Sequence, residues 1–439
     1  MKIASVKGFH DVLPGDSARW AWLETRTRDL FARYHFAEIR IPIVERTELF
    51  ARSIGDTTDI VEKEMYSFVD RDGTSLTLRP EGTAGVVRAY VEHALWQKEP
   101  VSKLFYFGPM FRRERPQKGR LRQFHQIGAE VLGRDDPAID AEVLMLLHDL
   151  LLACEIRHFT IELNSLGDAN CRPAYREAVR AYGETHRSQL CDNCQRRLER
   201  NPLRLLDCKV PTCAALMAQA PVMEAFWCSS CREHFAAVRQ ALDHARIPYT
   251  LAPRIVRGLD YYVRTAFEVK AEGLGAQNAV GGGGRYDGLV KSLDGPDVPG
   301  IGFALGVERM LLALGMAVDE QLLLAPEIFL APLGAESEAH VLVLAHRWRN
   351  EGLKVELGTA ARSLKSQMRQ ADKSGAPFVL IVGEAELESR AATVRDMLRK
   401  RDYPRTVAFD WSARQVRQYL ASLGEPATPQ GRELAERTR

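Results

Sequence analysis

From His125 to Val131 the chain alternates strictly, with Gln126, Gly128 and Glu130 on one face of a strand and His125, Ile127, Ala129 and Val131 on the other. The apolar run Leu104-Phe105-Tyr106-Phe107 supplies a partner, so the pattern predicts an antiparallel hairpin. Its loop carries Arg113, Arg115, Lys118, Arg120 and Arg122 against a lone Glu114. Such a hairpin sets Arg112 at the base of a sheet and sends a cationic loop outward, a layout that grips phosphates at two distances. A solvated loop that only keeps the hairpin soluble is the competing reading. Glu130 favours the former, because a carboxylate in an apolar strand is costly unless it meets a partner or a ligand.

Helical spacing of Trp20, Leu23, Leu30 and Phe31 predicts a helix over residues 20–34. An extended Glu38-Ile39-Arg40-Ile41-Pro42 follows, whose closing proline suits an edge or a pairing of two subunits. A short hairpin turns at Asp72-Gly73, and residues 76–83 then read strand, loop and helix start. That loop holds Glu81 and Thr83 towards a ligand amine, unless both are simply helix caps. A helix over 138–152 and a strand over 159–163 come next. Between about 168 and 246 the chain is helical and charged and holds seven of the eight cysteines, which marks an insertion.

The core resumes with a strand over 265–270 and the glycines Gly281 to Gly284, which either let backbone approach a ligand or form a tight turn. Residues 301–309 run from strand to helix. Val307, Met310, Leu311 and Leu314 give that helix its buried face, leaving Arg309 on the exposed side of the first turn, where a phosphate would also feel the helix N-terminus. A plain surface arginine is the alternative. Ala325-Pro326 marks a linker. Beyond it, strands at 328–332, 354–357 and 378–382 alternate with helices at 339–349 and 364–373, predicting a small α/β domain with a largely parallel sheet. The polar tail 424–439 is expected to be disordered.

With 439 residues, 46% of them hydrophobic, two or three domains are expected. The formal net charge of +2 leaves any nucleic-acid surface to local clusters such as the hairpin loop. No secretory segment and no run near ~18 apolar residues is present in the sequence, so a cytoplasmic protein with no membrane partner is expected. No GxGxxG opens a helix after a strand, and no Walker A lysine loop occurs.

On these segments the chain resembles the histidyl-tRNA synthetases, members of the second structural class of aminoacyl-tRNA synthetases. Pro42 matches the end of the class's first motif, Phe111-Arg112-x-Glu114 its second, and Gly306-x-Glu308-Arg309 its third. Arg257-Gly-Leu-Asp-Tyr-Tyr262 and Gly282-Gly-Gly-Arg-Tyr-Asp-Gly288 match the segments that carry histidine specificity. The resemblance implies an α+β fold: an antiparallel sheet flanked by helices over residues 1–325, a helical insertion at 168–246, and an α/β anticodon-binding domain over 326–423. It implies a homodimer paired through the first motif, with L-histidine, ATP accompanied by Mg²⁺, and tRNA(His) as partners.

It also implies the roles. Arg112, Glu114 and Arg309 would bind ATP, with Arg112 on the α-phosphate and Arg309 on the γ-phosphate. Arg257 would stabilise the pentacovalent phosphorus beside the substrate carboxylate. Glu81, Thr83 and Gln126 would hold the α-amino group, and Glu130 and Tyr262, with Tyr261 nearby, would address the imidazole nitrogens. Arg115, Lys118, Arg120 and Arg122 would face the tRNA acceptor stem. The rival within the resemblance is a histidine-sensing regulatory subunit of an ATP phosphoribosyltransferase, but such paralogues tend to lose the anticodon domain and parts of the arginine set kept here.

Cys191-x-x-Cys194 and Cys228-x-x-Cys231 have the pair spacing of one four-thiolate Zn²⁺ site, with Cys208 and Cys213 between them. Incidental free thiols are the competing reading, since the family does not generally need zinc.

Overall fold

The structure, a computed structural model, describes residues 3–55, 58, 60–117, 119–255, 259, 261–275, 278–315 and 324–423. The chain divides into two compact units, Met1–Val12 with Trp20–Val318, and Leu13–Arg19 with Asp319–Arg439.

In the larger unit the strands are β1 (Ala37–Glu38), β2 (Val44–Arg46), β3 (Tyr66–Val69), β4 (Ser75–Leu78), β5 (Ser102–Phe111), β6 (Gln123–Leu132), β7 (Phe159–Ser165), β8 (Thr250–Leu251), β9 (Val263–Ala271), β10 (Ala279–Arg285) and β11 (Gly300–Gly306). Eight of them form one sheet in the order β1-β5-β6-β11-β10-β9-β7-β8, and β2, β4 and β3 form a small second one. The large sheet is antiparallel throughout except at its two edges, where β1 joins β5 and β8 joins β7 in parallel. The expected extended segment is shorter than its sequence suggested, since only Ala37–Glu38 pairs as a strand.

One face of this sheet is apolar. Phe105, Ile127, Ala129, Val131, Phe267, Val269, Ile301, Phe303 and Leu305 pack against the helix Pro137–Ala153 in a continuous core. Asp136 caps that helix by accepting from the Ile139 amide, and Pro137 opens it. A buried charge cluster locks the layer: the Arg285 guanidinium, fully buried, pairs with Asp140 at 2.8 Å and Asp287 at 2.9 Å, while Asp140 meets His234 Nε2 at 2.8 Å. Removing one member would strand the others without water, so this pairing fixes β10 against two helices.

The segment read as an insertion holds the helices Arg172–Thr185, Asp192–Arg200, Pro211–Met217 and Ser229–His244. It has a small core of its own, in which Tyr175, Val179, Leu198, Leu205 and Met217 surround several cysteines. Phe235, Val238 and Leu242 of its last helix belong instead to the main core.

The smaller unit holds β12 (Ile328–Pro332), β13 (Val355–Leu357), β14 (Phe378–Val382), β15 (Ala391–Asp396) and β16 (Arg401–Ala408), ordered β13-β12-β14-β15-β16. The first three are parallel, and β15 and β16 add an antiparallel edge that the hydrophobic pattern did not predict. Ala392, Val394 and Asp396 of β15 point inwards while Ala391, Thr393 and Arg395 are only half-buried, so charged neighbours hid a true alternation. The tail 424–439 lies outside the described residues.

Candidate active site

The second face of the large sheet is rich in glycine and alanine. Glu130 pairs across with Leu104 and Gly302, Gly128 with Tyr106 and Ala304, and Gln126 with Gly108 and Gly306. Further along, Ala304 pairs with Gly282, Gly302 with Gly284, and Gly282 with Glu268. Directly opposed residues share a face, so glycine and alanine occupy most of this floor. Several of these positions leave no room for a side chain: a Cβ on Gly128 would lie 2.1 Å from Tyr106 Cζ, and one on Gly302 only 1.9 Å from Glu130 Oε2. Above the floor is a cavity of about 680 Å³ lined by Glu81, Thr83, Arg112, Glu114, Arg120, Gln126, Tyr261, Tyr262, Glu268 and Arg309, among others. A second cavity of about 840 Å³ shares, among the described residues, Leu259 and Tyr262 with it.

One group of polar side chains is built on buried carboxylates. Glu130 has no exposed surface, and its oxygens accept hydrogen bonds from Thr83 Oγ1 at 2.7 Å and Tyr286 OH at 2.6 Å. Burial lifts its pKa from the ordinary 4.5 to about 8; the two hydroxyls oppose the rise and the charge of Glu81 adds to it. Glu81 is indeed a cap: it accepts from the amides of Thr83 and Ala84, each at 2.7 Å, at the start of the helix Thr83–Glu92. It is also buried in the cavity wall, and burial pushes its pKa up. Burial raises Tyr106, Tyr261 and Tyr286 well above the ordinary phenol range, with Glu130 adding to each. The Tyr261 ring packs 4.6 Å from Tyr262 and 5.8 Å from Tyr286. Among the described residues Gln126 Oε1 is buried without a hydrogen-bond partner, an acceptor that a polar ligand would satisfy.

The other group is guanidinium. Arg112 donates from Nε to the Pro80 carbonyl at 2.8 Å and lies 5.2 Å over the Phe124 ring. Arg309 donates to the carbonyl of Gly119 at 3.1 Å and to that of Ala279. It is therefore held in the cavity wall and not on the exposed side of its helix; burial, then the charge of Arg120, lowers its pKa. Glu114 accepts from Arg120 at 3.0 Å and lies 4.0 Å from Arg112. The third-motif Glu308 instead serves the hairpin, accepting from the His125 amide at 3.0 Å and lying 2.9 Å from its Nδ1.

The remaining loop residues divide. Arg115 is exposed, Arg120 lines the cavity, and Arg122 donates its amide to Gly8 at 2.8 Å and its Nε to the Glu114 carbonyl at 3.3 Å. Lys118 and Arg257 lie outside the described residues. Tyr106 and Glu268 were not singled out from sequence, and Tyr286 only as a member of the segment Gly282–Gly288. Tyr106 follows from counting the hairpin register against Gly128, whereas the meeting of Tyr286 with Glu130, 156 positions apart, has no local signal.

The single zinc site expected across both CxxC pairs is not what the structure assembles. Cys191 and Cys194 gather with Cys208 and Cys213, and Cys228 and Cys231 gather with Asp168 and Cys171. The turn after the helix Asp192–Arg200 brings Cys208 and Cys213 back to its start, while Cys228 and Cys231 open the returning helix Ser229–His244.

An antiparallel sheet with a glycine-rich face, arginines of two motifs over it and buried carboxylates beside them is the catalytic ground plan of a second-class aminoacyl-tRNA synthetase. A family model described as histidyl-tRNA synthetase matches residues 8–310, and one described as anticodon binding domain matches 327–417. The chain belongs to the histidyl-tRNA synthetase family. It is 52% identical to the histidine–tRNA ligase of Geobacter metallireducens over 90% of this chain and 95% of that one, and 53% identical to that of Syntrophotalea carbinolica over 90% and 94%. The crystal structure of apo S. aureus histidyl-tRNA synthetase matches with a TM-score of 0.75 at 36% identity, covering 92% of this chain and 97% of that one.

Proposed function

We infer that the chain is a histidine–tRNA ligase: it activates L-histidine with ATP to histidyl-adenylate and passes the acyl group to the 3′ end of tRNA(His), releasing pyrophosphate and AMP. The observation that carries this is the pairing of a buried carboxylate–hydroxyl network with a guanidinium group around one cavity, in a chain half identical to histidine–tRNA ligases. The regulatory-subunit reading falls away with that identity.

Both steps displace at charged centres, so positioning and charge stabilisation dominate. Arg112 and Arg309 hold the α- and γ-phosphates; anchoring each Nε on a carbonyl presets the fork before ATP arrives. Glu114 and Glu268, two of the carboxylates in the wall, would be hard oxygen donors for Mg²⁺, which would neutralise phosphate charge. Arg257 acts at the α-phosphate.

Gln126, Glu81 and Thr83 take the α-amino group, with the orphaned Gln126 Oε1 as a ready acceptor. Glu130 and Tyr262, beside Tyr261, select the imidazole. Glu130 lies behind Thr83, where burial favours its neutral form and it reaches the imidazole site through the Thr83 hydroxyl. A site built on such polar partners rejects analogues without them by roughly 10⁴ or more. Arg115, Lys118, Arg120 and Arg122 guide the acceptor stem through phosphate contacts, and residues 326–423 read the anticodon side. The enzyme works in the cytoplasm as a homodimer paired through the segment ending at Pro42.

ATP–pyrophosphate exchange against each amino acid tests the reading. Exchange with histidine alone is expected; exchange with another amino acid, or none with histidine bound, would sink it. Deleting residues from Ala325 onward should impair charging of tRNA far more than exchange, and equal loss of both would count against the anticodon role.

A further inference from the structure

We propose that the insertion binds two zinc-type divalent ions at separate sites: a four-cysteine site of Cys191, Cys194, Cys208 and Cys213, and an aspartate–three-cysteine site of Asp168, Cys171, Cys228 and Cys231. The ligand atoms of each set lie within 4.8 Å of one another. A tetrahedral ion with metal–sulfur bonds of about 2.3 Å requires sulfurs roughly 3.8 Å apart. Cys191 and Cys208 stand at 3.9 Å, and Cys171 and Cys231 at 3.8 Å. With an oxygen ligand bound at about 2.0 Å the sulfur–oxygen edge shortens to roughly 3.5 Å, and Cys171 Sγ lies 3.4 Å from Asp168 Oδ1. None of the eight cysteines is in a disulfide.

Both sets have the same local construction. Cys191 and Cys228 each precede a helix, with Cys194 and Cys231 in its first turn, so each CxxC pair projects two sulfurs from one helix start. Backbone amides are already aimed at sulfur: that of Cys191 donates to Cys213 Sγ at 3.2 Å, and that of Asp168 to Cys171 Sγ at 3.2 Å. Such donors stabilise thiolate charge and orient the ligand. Arg264 Nη2 lies 3.7 Å from Asp168 Oδ2, a second partner for the carboxylate.

The two sites do different work. The four-cysteine site closes the turn between Asp192–Arg200 and Pro211–Met217 and braces the insertion's small core. The aspartate site joins the point where the chain leaves β7, at Asp168, to the point where it returns, at Cys228. Next to it Arg172 donates to the Tyr262 carbonyl at 2.9 Å, so the clamp stands one side chain away from the active-site wall. Soft, tetrahedral, sulfur-rich sets favour Zn²⁺ over Mg²⁺ or Ca²⁺.

The test is metal analysis of the full-length protein, purified under reducing conditions without chelator and re-equilibrated with Zn²⁺. Two ions per chain are expected, falling to one in Cys208→Ser and, separately, to one in Cys228→Ser. A content of zero, or a single ion lost in both variants as one site spanning the two CxxC pairs requires, overturns the proposal. Because either variant can misfold, Co²⁺ substitution of the unaltered protein gives a second reading. Titration should show tetrahedral ligand-field bands and thiolate charge-transfer absorption rising to two equivalents, and saturation at one equivalent or the absence of those bands refutes it.

Discussion

The carboxylate–hydroxyl group and the guanidinium group share one cavity but are prepared in opposite ways. Arg112 and Arg309 spend donors on carbonyls of Pro80, Gly119 and Ala279, so their positions are set by backbone, as the proposed phosphate contacts require. Glu130 and Glu81 accept from Thr83, Tyr286 and two amides, so their geometry is set while burial works against their charge. A cation that meets a polyanion needs placement; a carboxylate that must recognise a weak base needs a tuned proton affinity as well. The comparison predicts that substitutions in one group act through ATP and those in the other through histidine.

Arg112→Ala should have the largest effect, lowering kcat for pyrophosphate exchange by about 10²–10³ with the fold intact, as removal of a preorganised donor to developing charge does. Steady-state kinetics with each substrate varied would check it; a tenfold or smaller loss would mean the α-phosphate is held elsewhere. Glu130→Gln should lower kcat/KM for histidine by about 10² and leave the KM for ATP unchanged. A matching rise in the KM for ATP would erase the distinction between the two groups.

The same substitution carries a pH signature. Glu130 has a higher pKa folded, about 8, than its ordinary 4.5, so the folded state binds more protons through that window. Its contribution is fully present below about 4.5 and is lost as pH rises through about 8. It amounts to a few kcal/mol, because each tenfold gain in proton affinity on folding is worth roughly 1.4 kcal/mol. The Tm of the ligand-free protein should therefore fall from pH 5 to 8.5 more steeply than that of Glu130→Gln, and parallel slopes would refute the assignment. Gly302→Ala should be smaller, costing roughly 1–3 kcal/mol of stability because its methyl group meets both the Glu130 carboxylate and, at 2.4 Å, the Ala129 carbonyl oxygen. Urea unfolding measures it, and a neutral result would show that both the carboxylate and the neighbouring strand have room to move.

Much of this was legible in the sequence because it is local. Alternation over residues 125–131 places Gln126 and Glu130 on one face, and the strand-to-helix step before Arg309 marks its turn. What was hidden depends on which distant segments meet. CxxC spacing says that two sulfurs share a helix start, but not that Cys208 and Cys213 complete one set while Asp168 and Cys171 complete the other. Arg309 looked exposed from helical phase alone, because the carbonyls that hold it, at 119 and 279, come from a loop and a strand far along the chain. Tyr286 stands in a glycine-rich segment, yet its hydroxyl acquires meaning only when β10 and β6 lie on either side of β11.

The smallest effect gives the sharpest contrast between the groups. Gln126 Oε1 is buried without a partner among the described residues, an acceptor whose desolvation none of them compensates. Gln126→Met keeps the length of the side chain and removes that acceptor. The ligand-free Tm should stay level or rise, by the equivalent of up to about 1 kcal/mol, while the KM for histidine rises about tenfold. No arginine substitution should separate the two readouts in this way, since Arg112 and Arg309 already have carbonyl partners when the cavity holds no ligand. If Gln126→Met lowers stability and affinity together, the amide is a structural brace and the α-amino group has its acceptors elsewhere.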